Sequence, residues 1–142
     1  MRIATWNINS VRLRMNMLTE FAKKYQPDVI CLQETKVEDH SFPHIECISM
    51  GYPYIKISGE KSYNGVAILS KQPIAESFSL QFYNAQKRHL AAKCGDVEIH
   101  NFYVPAGGDE PDVNLNEKFR HKLAYLDLMH EWFMTNRTKD QK

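Results

Sequence analysis

The sequence has few of the residues that stabilise small secreted domains. It contains three cysteines, an odd number, and no Cys-x-x-Cys pair. We therefore expect neither a disulfide framework nor a zinc site, and the cysteine usage favours a reducing, cytoplasmic location. Cys31, Cys47 and Cys94 are each predicted to be small buried apolar residues rather than nucleophiles.

Long hydrophobic runs and a strong charge of one sign are also missing. The first apolar run, residues 3–8, is far too short to span a bilayer, and we expect neither a secretory signal nor a membrane partner. The formal net charge is +1. Any affinity for DNA must therefore come from a local basic patch, because scattered Lys and Arg residues alone form a solvated surface.

The length of 142 residues and the 43% hydrophobic content suit one globular domain. Residues 3–8 are predicted to form a strand, and apolar residues at helical spacing predict a helix from Met15 to Tyr25, before Pro27. The continuous apolar run at residues 29–33 predicts a strand buried on both faces. Strand, helix and strand at this spacing indicate a crossover unit.

The rest of the chain is mostly β in pattern, up to a final helix. Strands are predicted at residues 54–58, 66–70, 74–80, 90–94 and 97–104, with a hairpin turn at Gly95-Asp96. Residues 105–112 read as a loop by composition. The spacing of Phe119, Leu123, Leu126, His130 and Phe133 predicts a second amphipathic helix.

Three segments place polar side chains at the ends of predicted strands. They are residues 5–9 (TWNIN), 32–36 (LQETK) and 101–105 (NFYVP). Singly, each has an ordinary explanation: an Asn in a turn, an exposed Glu34 or one in a salt bridge, and a half-buried Tyr103. Together they indicate a site, because loops at strand ends converge in α/β sheets.

These segments also carry a family resemblance. WNIN, PDVICLQETK, YNGVAILSK and NFYVPAGG closely resemble the exonuclease III family of apurinic/apyrimidinic endonucleases, within the endonuclease/exonuclease/phosphatase superfamily. The resemblance implies an α/β fold, a four-layer α/β sandwich of the deoxyribonuclease I type. Residues 1–142 are expected to be the N-terminal half of one such domain, with one mixed sheet flanked by helices and the second sheet mostly missing. One sheet alone would leave an apolar face open to water.

The resemblance also implies roles for individual residues. Glu34 matches the ligand of a Mg²⁺ ion, for which Mn²⁺ is a possible substitute, and Asn7 matches the amide beside that metal. Tyr103 matches the tyrosine that contacts the phosphate. Four further residues match positions on the DNA-binding face: Arg12, Lys36, Tyr63 and Arg88. Asn9, also expected on this face, falls where some relatives carry an acidic residue.

The six histidines show no metal-ligand spacing and no Asp-His pair. All are expected to be structural or surface residues, and only His89, which follows Arg88, lies near the expected DNA face.

Two further motifs of the family are missing from the sequence. The family's G-D-x-N segment supplies a candidate acid or base for the attacking water, and its S-D-H segment supplies a metal-side Asp and a phosphate-binding His; neither occurs here. We therefore expect the 142-residue chain alone to lack appreciable nuclease activity and to require the missing half.

Three functions follow as hypotheses. The leading one is a Mg²⁺-dependent DNA-repair nuclease acting on duplex DNA at abasic sites and 3′ ends, including 3′-phosphatase action. The second is a non-catalytic DNA-binding module. The third is a superfamily phosphatase acting on small phosphate esters, against which the LQETK segment argues.

Overall fold

The computed structural model describes residues 1–82 and 84–142. The elements in chain order are β1 (Ile3–Asn7), α1 (Met15–Tyr25), β2 (Val29–Gln33), α2 (His44–Ser49), β3 (Tyr54–Ser58), β4 (Val66–Ser70), β5 (Ile74–Phe78), β6 (His89–Cys94), β7 (Val97–Phe102) and α3 (Glu117–Asn136). Short 3-10 turns, Arg12–Arg14 and Asp39–Ser41, precede α1 and α2.

The first sheet has the strand order β1-β2-β4-β3. Strands β1 and β2 are parallel, and the other neighbours are antiparallel, so the sheet is mixed. The predicted crossover through α1 is confirmed. Strands β2 and β4 are buried along their whole length, which explains why residues 29–32 of β2 are all apolar.

Two helices cover one face of this sheet. Leu18 and Ala22 of α1 and Cys47 of α2 share a core with Ile30 and Leu32 of β2. The sequence pattern gave no indication of α2, which has six residues, one of them buried. So short a helix completes fewer than two turns, and its apolar stripe is too brief to detect.

The opposite face of the first sheet packs against a second, smaller antiparallel sheet with the strand order β5-β6-β7. The expectation that this face would be open to water is therefore wrong where the second sheet covers it. The shared core of the two sheets contains Val29, Cys31, Val66 and Ile68 from the first sheet, and Leu90, Ala92, Cys94 and Ile99 from the second. The hairpin turn at Gly95 has φ +60°.

The chain divides into two compact units. One contains residues 1–80 and 87–103 and includes both sheets, and the other contains residues 81–86 and 104–142. In the second unit, the side chain of Asn116 caps α3 by accepting hydrogen bonds from the backbone N–H groups of Lys118 and Phe119, at 3.0 and 3.3 Å. Helix α3 contains the predicted second helix.

The three cysteines are buried free thiols, as predicted, while the cytoplasmic location inferred from them stays a prediction. Within the described residues, no helix has the length and apolar character needed to cross a membrane.

Candidate functional site

The loop that follows β2 places Glu34 in an unusual backbone conformation. Glu34 and Lys36 have φ values of +53° and +54°, a region that residues with a side chain enter at a cost of about 1–2 kcal/mol. Backbone hydrogen bonds hold this loop from both sides. Ser10 N donates to Glu34 O at 2.8 Å, and Thr35 N donates to Gly65 O at 3.1 Å. The loop is therefore fixed by its neighbours rather than by its own preference.

The Glu34 carboxylate joins the ends of three strands. Its Oε1 atom accepts a hydrogen bond from Asn7 Nδ2 at 2.8 Å and another from the Tyr103 hydroxyl at 2.8 Å. Asn7 ends β1, Glu34 follows β2, and Tyr103 follows β7. The three residues that the sequence placed at separate strand ends therefore meet at one carboxylate.

The charge state of Glu34 follows from these contacts. The hydrogen bond from Asn7 is the main cause that lowers the pKa of Glu34, and the bonds from Tyr103 and Lys36 act in the same direction. Partial burial opposes the effect but does not cancel it. Glu34 is thus an ionised carboxylate at neutral pH.

Tyr103 is a neutral phenol in this arrangement. Burial, and then the hydrogen bond to Glu34, raise the pKa of Tyr103 above its ordinary value. Arg88 opposes this shift, because its guanidinium lies 4.5 Å from the centre of the Tyr103 ring. The two residues are also joined by their backbones, with Tyr103 N donating to Arg88 O at 2.7 Å. Arg88 therefore lies in the site, stacked on the tyrosine.

Lys36 adds a positive charge beside the carboxylate. Its Nζ atom lies 3.1 Å from Glu34 Oε2 and donates to Asn9 Oδ1 at 2.6 Å. Asn9 has φ +47°, a conformation that asparagine tolerates better than most residues. Lys36 and Asn9 thus form the outer edge of the Glu34 group.

Two residues predicted for the DNA face lie outside this group. Arg12 lies in the 3-10 turn before α1 and lines a surface cavity of about 650 Å³ together with His40 and His44. Tyr63 is 71% exposed in the loop between β3 and β4. It precedes Asn64, whose carbonyl accepts a hydrogen bond from Lys36 N at 3.0 Å.

Sequence reasoning missed a buried polar pair behind the site. Gln33 Nε2 donates to Asn101 Oδ1 at 2.6 Å, and the two residues are 8% and 2% exposed. Both residues stand within the quoted motifs, LQETK and NFYVP. Side chains alternate between the two faces of a strand, and this alternation directs both residues toward the core. A polar residue at such a position could have indicated the buried pair.

His89 lies in a different environment from the one its sequence neighbour suggested. It is fully buried, and its Nε2 atom lies 3.0 Å from His100 Nδ1. His100 Nε2 in turn lies 2.7 Å from Glu98 Oε1. His89 Nδ1 accepts a hydrogen bond from Leu80 N at 2.8 Å. The expectation of a structural role for His89 fits this burial.

The donor set suits a hard cation that keeps most of its water. Glu34 supplies one ionised carboxylate, 20% exposed in its side chain, and Asn7 supplies a neighbouring amide. Over residues 1–82 and 84–142, no three His, Cys, Asp or Glu side chains form a cluster that could hold a metal. A closed zinc site does not match these residues, whereas Mg²⁺ needs only one or two carboxylates besides water.

Two packed sheets with helices on an outer face, and a carboxylate where three strands end, define an α/β sandwich with a candidate site at its strand ends. The chain belongs to the endonuclease/exonuclease/phosphatase family, whose model matches residues 4–139. It is 37% identical over 142 residues to exodeoxyribonuclease III of Haemophilus influenzae, an alignment that covers 92% of this chain and 53% of that protein.

Solved structures show the same likeness. The chain is similar to an AP endonuclease from Archaeoglobus fulgidus, with a TM-score of 0.89, 31% identity, and coverage of 99% of this chain and 54% of the other. It is also similar to a 3′ phosphatase from Neisseria bound to a product DNA hairpin, with a TM-score of 0.83, 30% identity, and coverage of 96% and 54%. These structures share the deoxyribonuclease I-like fold predicted from the sequence. The chain spans about half the length of the relatives it matches.

Proposed function

We propose that this chain is the N-terminal half of a single-domain, Mg²⁺-dependent DNA-repair nuclease of the exodeoxyribonuclease III type. Its substrates would be phosphodiesters of duplex DNA at abasic sites and 3′ ends, with 3′-phosphatase action included. The observation that carries the proposal is the meeting of Asn7 and Tyr103 on the ionised carboxylate of Glu34. The names of the similar proteins point to the same chemistry.

Glu34 and Asn7 are the residues that would hold the cation. A bound Mg²⁺, or Mn²⁺ in its place, would stabilise the charge that develops on the scissile phosphate and its leaving oxygen. The hydrogen bond from Asn7 Nδ2 to Glu34 Oε1, at 2.8 Å, orients the carboxylate and keeps it ionised. Oε2 faces Lys36 and is less constrained by the strand ends.

Tyr103 is the residue that would contact the phosphate. Its hydroxyl carries one proton, since the pKa of Tyr103 is raised, and that proton is donated to Glu34 Oε1. A phosphate oxygen would accept this hydrogen bond in place of Glu34 Oε1. Lys36, held by Asn9, and Arg88 would add positive charge at the same edge, with Arg12 and Tyr63 further along the DNA. Contacts of this kind bind the DNA backbone without sequence preference.

A preference for abasic sites would follow from the cost of extrusion. A nucleotide without a base leaves the duplex more cheaply than a stacked one. An acid or base for the attacking water would have to come from outside this chain, because the sequence contains neither G-D-x-N nor S-D-H.

The alternative that a specific observation favours is a non-catalytic DNA-binding module. Lys36 and Arg88 are that observation, because they place two positive charges beside Glu34 and Tyr103. Such a module would bind duplex DNA in a salt-sensitive manner, and Glu34→Ala would change its behaviour only modestly. A phosphatase for small phosphate esters would bind DNA weakly.

Metal binding by the chain tests the proposed site. We expect Mn²⁺, followed by electron paramagnetic resonance, to bind the wild-type chain and to be displaced by Mg²⁺. Glu34→Ala should abolish binding, because the carboxylate that meets Asn7 and Tyr103 is lost.

The matched control is Glu38→Ala, which removes a carboxylate that is 47% exposed and pairs with His40. This variant should bind Mn²⁺ as the wild-type chain does. Equal Mn²⁺ affinity of the Glu34→Ala and wild-type chains would overturn the proposed metal site.

A further inference from the structure

The layer between the two sheets changes from apolar to polar side chains next to the candidate site. Along β2, Val29 and Cys31 face the second sheet, and Val97 and Ile99 of β7 face the first. Because side chains alternate along a strand, the next inward-facing positions are 33 and 101. Both are amides in an otherwise apolar layer, which is costly unless every polar group is paired.

The amide of Asn101 is fully paired, and its bonds reach both central strands of the first sheet. Its Nδ2 atom donates to the carbonyl oxygens of Leu32 on β2 and Ala67 on β4, at 2.9 Å each. Its Oδ1 atom accepts from Gln33 Nε2. A side chain of β7 is thus attached to two strands of the facing sheet.

Gln33 completes this arrangement from the other side. Besides Asn101, its Nε2 atom lies within hydrogen-bond distance of Thr5 Oγ1, at 2.9 Å. Gln33 therefore links β1 and β7 through β2. An apolar pair of similar size could fill the same space, but it would tolerate sliding, whereas directional bonds fix one register.

The position of this pair relates it to the site. Glu34 follows Gln33 directly, and Tyr103 lies two residues after Asn101, just beyond the end of β7, where it packs against the core between the two sheets. The hydroxyl of Tyr103 reaches Glu34 Oε1 at 2.8 Å, a contact across the two sheets. A shift of β7 by about 1 Å would lengthen this bond beyond hydrogen-bond range.

We infer that Gln33 and Asn101 are positioning residues, which fix the register of β7 against β2 and so hold the Tyr103 hydroxyl on the Glu34 carboxylate. The functional importance of that contact rests on the proposed nuclease site. The contact itself can be tested without metal or DNA.

The test uses the full 142-residue chain with ¹³C at the tyrosine Cζ atoms. The Cζ chemical shift reports hydrogen bonding by the phenol, and Tyr103→Phe assigns the resonance. Glu34→Ala gives the chemical shift of the Tyr103 resonance when the carboxylate that accepts its hydrogen bond is lost. We expect Asn101→Leu to move the Tyr103 resonance through most of the interval between wild type and Glu34→Ala.

The control is Ile99→Val, on the same strand and facing the same core. It loosens the packing without touching a polar group, and the Tyr103 resonance should stay at its wild-type position. The double variant Gln33→Met/Asn101→Leu removes both amides, so neither is left buried without a partner. Its circular dichroism spectrum should be that of a folded chain, and its Tyr103 resonance should still be shifted from the wild-type position.

A folded Asn101→Leu or double variant with an unmoved Tyr103 resonance would reject the positioning role. Unfolding of both variants beside a folded Ile99→Val would also reject it, since the pair would then serve folding alone. Failure of Mn²⁺ to bind would sink the proposed function and leave this result intact.

Discussion

The Glu34 carboxylate accepts hydrogen bonds from the protein and is also the proposed ligand of the cation. Its Oε1 atom is occupied by Asn7 and Tyr103, while Oε2 faces the ammonium of Lys36 at 3.1 Å. Lys36 therefore has two opposite effects. It repels a divalent cation at Glu34 and, as part of the proposed DNA face, attracts phosphate.

Replacing Lys36 should separate these effects. We expect Lys36→Met to bind Mn²⁺ about five to ten times more tightly, because a partly exposed ion pair is worth on the order of 1 kcal/mol. The same variant should bind duplex DNA more weakly and with a reduced salt dependence. Titrations by electron paramagnetic resonance and fluorescence anisotropy measure the two affinities.

The control is Lys56→Met on β3, where the lysine is exposed. Its Mn²⁺ affinity should match that of the wild-type chain. A loss of Mn²⁺ affinity in Lys36→Met would show that Lys36 supports the cation site instead of competing with it.

His89 predicts how stability depends on pH. Burial is the main cause that lowers the pKa of His89, to about 3. An unfolded histidine has a pKa of about 6.5. Between these two values the unfolded chain binds more protons at His89 than the folded chain, so stability falls as the pH decreases through this window.

Measured by urea unfolding, the stability at pH 5 should be ~2 kcal/mol below that at pH 8. His89→Gln should be less stable at pH 8, because Leu80 N loses its partner at the imidazole. Its stability should also depend less on pH than that of the wild-type chain. An unchanged slope in the variant would mean that other groups produce the pH dependence.

At the scale of the element, the loop after β2 depends on the loop before β4. Gly65 has φ +84°, and a Cβ atom added there would lie 2.2 Å from Thr35 Oγ1. Thr35 is 1% exposed and cannot move into water without disturbing Glu34. The glycine is therefore required both for its backbone conformation and for the close approach of the two loops.

We expect Gly65→Ala to lower the free energy of unfolding by ~3 kcal/mol. Gly95→Ala is the matched comparison, since Gly95 also has positive φ but its added Cβ would meet no atom nearer than 3.9 Å. That variant should lose only about 1 kcal/mol. Equal losses in urea unfolding would contradict the steric argument.

The success of sequence reasoning also differs between elements. The buried strand β2 and the helix α1 lie at the predicted residues, because each is long enough to show its own hydrophobic period. Strand β5 ends at Phe78, two residues earlier than predicted, and β1 and β7 also end earlier. Strand ends are set by the partner strand and by bonds such as Leu80 N to His89, which no local pattern encodes.

At the scale of the whole molecule, the chain holds the residues proposed to bind metal and phosphate but not those proposed to activate water. We expect the 142-residue chain to leave duplex DNA with one abasic site uncut in the presence of Mg²⁺. Adding a polypeptide that carries the G-D-x-N and S-D-H segments of the family should produce cleavage on the 5′ side of the abasic site. Gel electrophoresis of labelled DNA measures both results.

The control reaction contains the same polypeptide with Glu34→Ala in this chain, and it should show no cleavage. Efficient cutting by the unmixed 142-residue chain would refute the proposal that the activity requires the missing half.

The sequence alone determined which segments form the strands and the first helix, and which polar side chains lie near the strand ends. It did so because hydrophobic periodicity and strand length are local properties. The tertiary structure decided what those side chains meet: Tyr103 on Glu34, Asn101 on Gln33, and His89 on His100. These contacts depend on the register between strands and sheets, which is set by packing over the whole unit and not by any one segment.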